Sequence, residues 1–309
     1  MYYIGVDIGG MSIKCGLVDD GGNILNRARI VTPLGDVEAL AEAVCTVVKE
    51  VSEKVSPDEI VGVGIGVPGV VDSTGDVKFA SNLVREAFPF GDILTDKLNM
   101  KVVLANDADC AALGEVEVGS AKGISDVVMV TIGTGVGGGI IAGGKLFSGA
   151  SGLGGEIGHI SAGGSEPCTC GRRGCLETVV SATALMRRTD EYIKRYPDSE
   201  LGKIKAEDGK TTGMTVFKAM DRGDEVAKKL YAEYLFDLGE GLVNLANIFR
   251  PKVILIGGGI SAEGDKLTKP LQAHMDKYVY GGDRVSRVEI RCASLGNDAG
   301  IIGAAFLVK

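Results

Sequence analysis

The sequence predicts an α/β protein of two duplicated lobes, each a βββαβαβα unit, with a cleft between them. Three observations carry this. The segment Val6-Asp7-Ile8-Gly9-Gly10-Met11 recurs as Val130-Thr131-Ile132-Gly133-Thr134-Gly135, at an offset of 124 residues. Apolar runs suited to buried parallel strands follow both copies, Ile60 to Val67 after the first and Val253 to Ile256 after the second. Amphipathic helical patterns separate the runs, as an alternation of strands and helices requires. The lobe boundary is expected near Gly119. Residues 1–119 then form an N-terminal α/β lobe, completed by a C-terminal helix over 300–309, and residues 120–299 form a C-terminal lobe.

Taken in order, Tyr3-Ile4-Gly5-Val6 is the first strand, turned by Gly9-Gly10. Ile13 to Val18 returns, Asp20-Gly21-Gly22-Asn23 is a hairpin turn, and Ile24 to Val31 is the third strand. Asp36 opens a helix to about Lys54, with Leu40, Val44, Val47, Val48 and Val51 on one stripe. Lys101 to Ala105 is a further buried strand, followed by a helix from about Asp107. In the second copy, apolar residues resume at Ile140-Ile141 and Gly143-Gly144 supplies the hairpin turn. Helices fit Ser181 to Arg195, Glu225 to Phe249 and Ala262 to Tyr278. Pro197 to Gly213 is polar and reads as a loop, and Gly300 to Val308 as a closing helix.

Composition narrows the function. At 309 residues and 32.0 kDa the chain is too long for one small core. With 45% hydrophobic and 24% charged residues it falls outside the disordered, collagen-like and disulfide-knot classes. Its 47 glycines are roughly double the usual share, which means tight turns and close approach of backbone to ligand. Aromatics at 5% and no tryptophan argue against a sugar-stacking surface or a single-strand nucleic-acid platform. A net charge of -8 and a pI near 5.0, without a basic stripe, speak against nucleic acid as a partner. The start of the chain has no basic n-region, so no signal peptide is expected. Val127 to Gly144 is uncharged for 18 residues but holds seven glycines, which suits strand–turn–strand rather than a membrane helix. Seven cysteines without a secretory signal predict a reducing cytoplasm.

Two glycine turns are candidate phosphate cradles: Asp7-Ile8-Gly9-Gly10-Met11-Ser12-Ile13-Lys14 and Gly133-Thr134-Gly135-Val136-Gly137-Gly138-Gly139. Glycines let main-chain N–H groups converge on phosphate oxygens. Thr134 adds a hydroxyl donor, Lys14 a cation, and Asp7 stands where a carboxylate can hold magnesium through water. One such turn is equally an ordinary hairpin; two at matched positions point to a nucleotide clamp. Gly257-Gly258-Gly259 is either a tight βα turn or a flat seat for adenine or ribose.

His159, Cys168, Cys170 and Cys175 offer three thiolates and one imidazole, the donor set of a closed, structural zinc site. Such a site stiffens a loop and does not activate water. Three of the seven cysteines fall within eight residues, near one of only two histidines. Cys15, Cys45, Cys110 and Cys292 are scattered and read as small buried hydrophobes. Glu156 and Glu177 flank the cluster and suit sugar hydroxyls, with the second nitrogen of His159 available to orient a ligand or an acid. The alternative is solvated acids at helix starts. Asn106-Asp107-Ala108-Asp109 follows a buried strand and opens a helix. It reads as a helix cap, which the local sequence favours, or as ligand-binding residues beyond a strand end. Gly66-Val67-Pro68-Gly69 and Ser81-Asn82-Leu83 read locally as a turn and a loop.

Together these segments resemble the ROK family (repressors, open reading frames and sugar kinases) of the actin-like ATPase superfamily, in particular its bacterial glucokinase branch. The residues carrying the resemblance are Asp7-Ile8-Gly9-Gly10, Gly66-Val67-Pro68-Gly69, Asn106-Asp107-Ala108, Gly133-Thr134-Gly135-Val136-Gly137, Glu156-Ile157-Gly158-His159, Cys168 to Glu177 with Ser181, and Gly257-Gly258-Gly259. They occur in family order over nearly the whole chain, and the Cys-x-Cys-Gly-x-x-Gly-Cys-x-Glu segment is specific to the family.

The resemblance implies ribonuclease H-like lobes and ATP-dependent phosphorylation of a hexose. Glucose, giving glucose 6-phosphate, is the first expectation; N-acetylmannosamine and fructose are the alternatives. By the same resemblance Asp107 is the general base at a sugar hydroxyl, usually O6. Gly69, Asn82, Asn106, Glu156, His159 and Glu177 would bind the sugar, and Gly9, Gly10, Lys14, Thr134, Gly135, Gly258 and Gly259 would bind ATP, with Asp7 near Mg2+. A structural Zn2+ and a homodimer are also implied. In phosphoryl transfer positioning and charge stabilisation do most of the work, so Asp107 need accept a proton only late.

One position departs from the pattern. Met11 stands where family members commonly have threonine, and a thioether donates no hydrogen bond. Loss of a hydroxyl to phosphate weakens transition-state binding by about 1–3 kcal/mol. Ser12 would compensate only by facing the same way, and adjacent strand residues face opposite ways. Two other readings follow: a sugar-binding protein with weak turnover, motivated by Met11, and a transcription regulator. The regulators carry an N-terminal helix-turn-helix, for which a first strand near Tyr3 leaves no room.

Overall fold

The computed structural model describes residues 1–309 except 73, 81, 82 and 85. Asn82, expected at the sugar, lies outside the described residues. The chain opens with the antiparallel strands β1 (Tyr2–Ile8), β2 (Ser12–Asp19) and β3 (Ile24–Val31). Helix α1 (Val37–Ser52) follows, capped by Asp36, whose carboxylate accepts from the Glu38 and Ala39 amides, a contact worth about 1 kcal/mol. Then come β4 (Ile60–Val67), the hairpin β5 (Val70–Val71) and β6 (Val77–Phe79), α2 (Phe90–Leu98), β7 (Val102–Asn106) and α3 (Asp107–Glu117).

The second half repeats the plan with insertions. It contains β8 (Val127–Ile132), β9 (Val136–Ala142), β10 (Lys145–Leu146), α4 (Glu177–Val180), α5 (Ala182–Arg195), α6 (Glu200–Asp208), α7 (Thr215–Asp221), α8 (Glu225–Phe249), β11 (Val253–Gly258), α9 (Asp265–Tyr278), β12 (Glu289–Cys292) and α10 (Ala299–Phe306). The two five-stranded sheets have the same order, β3-β2-β1-β4-β7 and β10-β9-β8-β11-β12. Strands β1, β4 and β7 run parallel, as do β11 and β12. Shared strand order is what a duplicated unit produces.

The polar stretch Pro197 to Gly213, expected as a loop, contains α6. That helix buries only Leu201 and Ile204, one turn apart, so its apolar period is too short to stand out. Helices α2 and α7 and strand β12 were likewise not expected. Strand β12 is Glu-Ile-Arg-Cys with only Ile290 buried, and reads as polar.

The chain divides into two compact units: Met1–Met129 with Gly139–Gly155 and Ala293–Lys309, and Val130–Gly138 with Glu156–Cys292. In the first unit, α1 lays Leu40, Val44, Val47 and Val51 against the inward residues of β1 to β4. On the other side lies α10, nearly all of it buried. It approaches β1 and β4 so closely that a Cβ at Gly5 would lie 1.9 Å from the Ile301 carbonyl oxygen, and one at Gly64 would lie 1.7 Å from that of Ala304. Only glycine fits.

Glu115, near the end of α3, is wholly buried. Its Oε1 accepts from the Ser294 and Leu295 amides, both at 2.7 Å. Its Oε2 accepts from the Ser120 amide at 2.7 Å and from the Ser120 and Ser294 hydroxyls at 3.0 and 3.1 Å. Burial of a carboxylate is tolerated when its oxygens are so fully engaged.

In the second unit the 25-residue α8 is the central helix. Its Tyr234 is fully buried and donates its hydroxyl to the Val180 carbonyl at 2.8 Å. Among the described residues, no helix is long and apolar enough to cross a membrane.

Candidate active site

In the first unit, β1 delivers Asp7 to the mouth of the glycine turn. The β1–β2 register places Lys14 opposite, and Lys14 Nζ lies 3.1 Å from Asp7 Oδ2. The turn is held by Gly9 N–H donating to the Ser12 carbonyl at 3.0 Å and by Thr32 Oγ1 donating to the Gly9 carbonyl at 2.5 Å. Met11 projects outward, 85% exposed, whereas Ser12 is 8% exposed. The serine therefore faces away from Met11, as strand alternation requires.

At the end of β7 the cap and the candidate base are different residues. Asn106 is the cap of α3: its Oδ1 accepts from the Ala108 and Asp109 amides at 2.8 and 3.4 Å, and its Nδ2 donates to the Gly69 carbonyl at 2.9 Å. Asp107 is the first helical residue, and its Oδ1 accepts from the Ala108 amide at 2.9 Å. The local reading of this segment as a cap thus holds for Asn106 and leaves Asp107 at the head of an 11-residue helix, where the dipole favours a carboxylate. Gly66, within β4, and Gly69, in the turn after it, border the same end of the sheet. Beneath lies Cys110. Burial, with Asp109, Asp107 and Asp7 nearby, pushes its thiol far up, so it stays neutral filler. Cys15 is buried in the same way; Cys45 and Cys292 are half-buried.

In the second unit, the Gly133 N–H donates to the Gly135 carbonyl at 3.0 Å, and the Gly133 carbonyl accepts from the Ala182 amide at 2.9 Å. The second bond brings the start of α5 to the turn. Ser181 caps that helix, accepting from the Ala184 amide at 3.0 Å. Gly258 ends β11, and Gly259 opens a short 3-10 turn. Beside them lies a mainly apolar cavity of about 310 Å³, lined by Gly133, Thr134 and Gly259 and by Leu185, Met214 and Phe217. The glycine signals were legible; the apolar walls from α5 and α7 were not, because they come from residues distant in sequence.

The four expected zinc ligands do converge. Their ligand atoms lie within 4.8 Å of one another. Cys170 Sγ and Cys175 Sγ are 3.6 Å apart, and Cys168 Sγ is 3.5 Å from His159 Nδ1. Zinc bonds of about 2.3 Å to sulfur and 2.0–2.1 Å to nitrogen give tetrahedral edges of about 3.8 and 3.6 Å, so the donors fit the ion. Gly171 and Gly174 have φ of 88° and 68°, which turns the knuckle as expected.

Glu177 links this cluster to the glycine turn. Its Oε1 accepts from the Cys168 thiol at 2.9 Å, while its Oε2 is 2.7 Å from where a Cβ at Gly135 would stand. Burial and the Glu177 hydrogen bond push the Cys168 thiol up to about 12. The His159 Nε2 lies 3.9 Å from Glu156 Oε2. Glu156, His159 and Glu177 are thus one group in the second unit, and Gly69, Asn106 and Asp107 one group in the first. The link from Glu177 to Gly135 had no signal in the sequence.

Paired sheets of this order with a glycine turn after each first strand define the actin-like ATPase fold, here with the acids and donors of a sugar kinase. The ROK family model matches residues 3–309. The chain belongs to the ROK family. It is 39% identical to a glucokinase of Halalkalibacterium halodurans over 100% of this chain and 95% of that one. It is 36% identical to a glucokinase of Thermotoga maritima, over 99% of this chain and 96% of that one. Among solved structures, a ROK family glucokinase from Streptomyces griseus in complex with glucose and AMPPNP superposes with a TM-score of 0.84 at 35% identity, covering 99% of each chain.

Proposed function

We propose that the chain is an ATP-dependent hexose kinase that phosphorylates glucose at O6, with Asp107 as the general base. Full-length identity to glucokinases and the likeness to the glucose- and AMPPNP-bound structure support the activity. The observation that carries the assignment of the base is the division of labour at the head of α3: Asn106 is the cap and Asp107 is not.

In this reading Asp107 takes the proton from O6 as the O6–phosphorus bond forms and the bond from phosphorus to the ADP oxygen breaks. Gly69, Asn106, Glu156, His159 and Glu177 hold the sugar, and Asn82 belongs to the same set by resemblance. The glycine turns at Gly9-Gly10 and Thr134-Gly135, with Gly258 and Gly259, hold the nucleotide, its base in the apolar cavity. Lys14 fixes Asp7 at the end of β1, where that carboxylate would hold Mg2+ through water. The ion supplies neutralisation of phosphate charge when bound. Zn2+ on His159, Cys168, Cys170 and Cys175 would stiffen the loop that leads into Glu177 at the head of α4.

The shared sheet order supports residues 1–119 with 300–309, and 120–299, as the two halves of the duplication. Seven unpaired cysteines fit a reducing cytoplasm, and a homodimer is expected by resemblance. One observation favours a weaker catalyst: the exposed Met11 presents no donor where a threonine is usual.

The test is ADP release from Mg-ATP over a panel of glucose, fructose and N-acetylmannosamine, with Asp107→Asn alongside. Glucose should give the highest rate, and the variant should lose a factor of about 10²–10⁴ while binding glucose as before. An unchanged rate in Asp107→Asn rules out the base.

A further inference from the structure

We infer that the apolar cavity of the second unit accepts purine nucleotides without choosing between adenine and guanine; this rests on the kinase reading, which takes that cavity for the base. Adenine and guanine present nearly the same ring faces and differ at their polar edges, one carrying a 6-amino group and the other a 6-oxo and a 2-amino group. A protein tells them apart by donors and acceptors placed against those edges.

The cavity supplies few. Its side-chain walls are Ile132, Leu185, Met214, Phe217 and Ile260, all apolar. Only two lining residues carry a polar side chain, Thr134 and Tyr234. Thr134 belongs to the phosphate turn, and the Tyr234 hydroxyl already donates to the Val180 carbonyl at 2.8 Å. On the rim, the backbone groups of Gly133 and Met214 are engaged too. Gly133 uses its N–H on Gly135 and its carbonyl on Ala182. Met214 uses its N–H on Thr212 Oγ1 at 3.3 Å and its carbonyl on the Lys218 amide at 3.0 Å. The side chains therefore hold the base by its faces, through burial and contact, and do not read its edges.

The size of the effect follows from the kind of site. A pocket built to hydrogen-bond its ligand rejects the wrong partner by about 10⁴–10⁵, because mismatched polar groups are left buried and unpaired; an apolar pocket separates near-isosteres by only about 10–200-fold. Met214, 47% exposed on the wall, contributes flexible, polarisable contact that suits either purine.

The experiment measures dissociation constants of MgADP and MgGDP on the full chain by calorimetry, for the native protein and Met214→Ala. The expected result is a ratio of the two constants below about 100, with both affinities falling several-fold in the variant and the ratio moving less than threefold. GDP binding more than about 100-fold weaker than ADP overturns the inference, as does a larger shift of the ratio in the variant or failure of both diphosphates to bind. Turnover of ATP and GTP with glucose is measured separately. If both diphosphates bind alike and neither triphosphate is consumed, the kinase reading falls and the open base site stands.

Discussion

Glu115→Gln asks how much of the first unit depends on one buried carboxylate. Glutamine has the same shape, so no cavity opens, and the effect is read as hydrogen bonding alone. The two carboxylate oxygens serve three backbone amides at 2.7 Å and two hydroxyls at 3.0 and 3.1 Å. The single oxygen of an amide can keep Ser294 and Leu295. Its NH2 group then faces the Ser120 amide, and neither can accept. The serine hydroxyls can rotate to accept from it, but the Ser120 N–H is stranded, at a cost of about 1–3 kcal/mol. The two bonds that survive lose their charge assistance, about 1 kcal/mol each. The sum is about 3–5 kcal/mol, or a fall in Tm of roughly 10 °C for a fold of this size. Urea and thermal unfolding give the global figure. Hydrogen exchange at the Ser120, Ser294 and Leu295 amides gives the local one, and should accelerate most there. A variant within about 0.5 kcal/mol of the native protein, with unchanged exchange at these amides, refutes the reasoning.

Removing zinc with a strong chelator, or making Cys170→Ser, should abolish the expected one metal per chain and weaken glucose binding at least tenfold through the loss of a fixed Glu177, while the α10-sealed core of the first unit keeps its amide protection; metal analysis, calorimetry and hydrogen exchange report the three. Met11→Thr should raise kcat/KM for MgATP up to about tenfold, equal to about 1.4 kcal/mol, if the turn lacks only a donor; no gain would show that the position is not used. The bidentate pair of Arg27 with Asp298, at 2.6 and 2.8 Å, holds the Asp298 carboxyl below its usual range through the arginine's hydrogen bonds. A lowered folded-state value means the unfolded chain takes the proton first, so the stabilisation is present above about pH 4 and is lost as pH falls through the folded value. Both groups are substantially exposed, so Asp298→Asn should cost only about 0.5–1 kcal/mol at pH 7. In urea titrations that difference should shrink below about pH 4 and in high salt.

What could be read from the sequence was what is local. Strands β1 to β4 and β7, and helices α1, α3 and α8, announce themselves because burial on a sheet or along one helix stripe writes a period into adjacent residues. Helix α6 does not, since only Leu201 and Ile204 need to be apolar, and β12 does not, since its outer residues are charged. The site divides the same way. The zinc knuckle and both glycine turns are compact motifs. The contact of Glu177 with the Gly135 turn joins segments some 40 residues apart, and the cavity walls at Met214 and Phe217 arrive from further still. The cap at Asn106 was legible as a type of residue, but only geometry separates it from Asp107.

Helix α10 has a consequence for how the molecule is made. The first unit has all five strands of its sheet before residue 107, yet the helix that covers β1 and β4 leaves the ribosome only after the whole of Glu156–Cys292. Through that interval the bare face around Gly5 and Gly64 waits in water, its apolar neighbours open to chaperones or to sticking. The second unit, by contrast, has nearly all its parts in hand earlier. The segment that locks the first unit is therefore among the last to be made, although the strands it covers are the first.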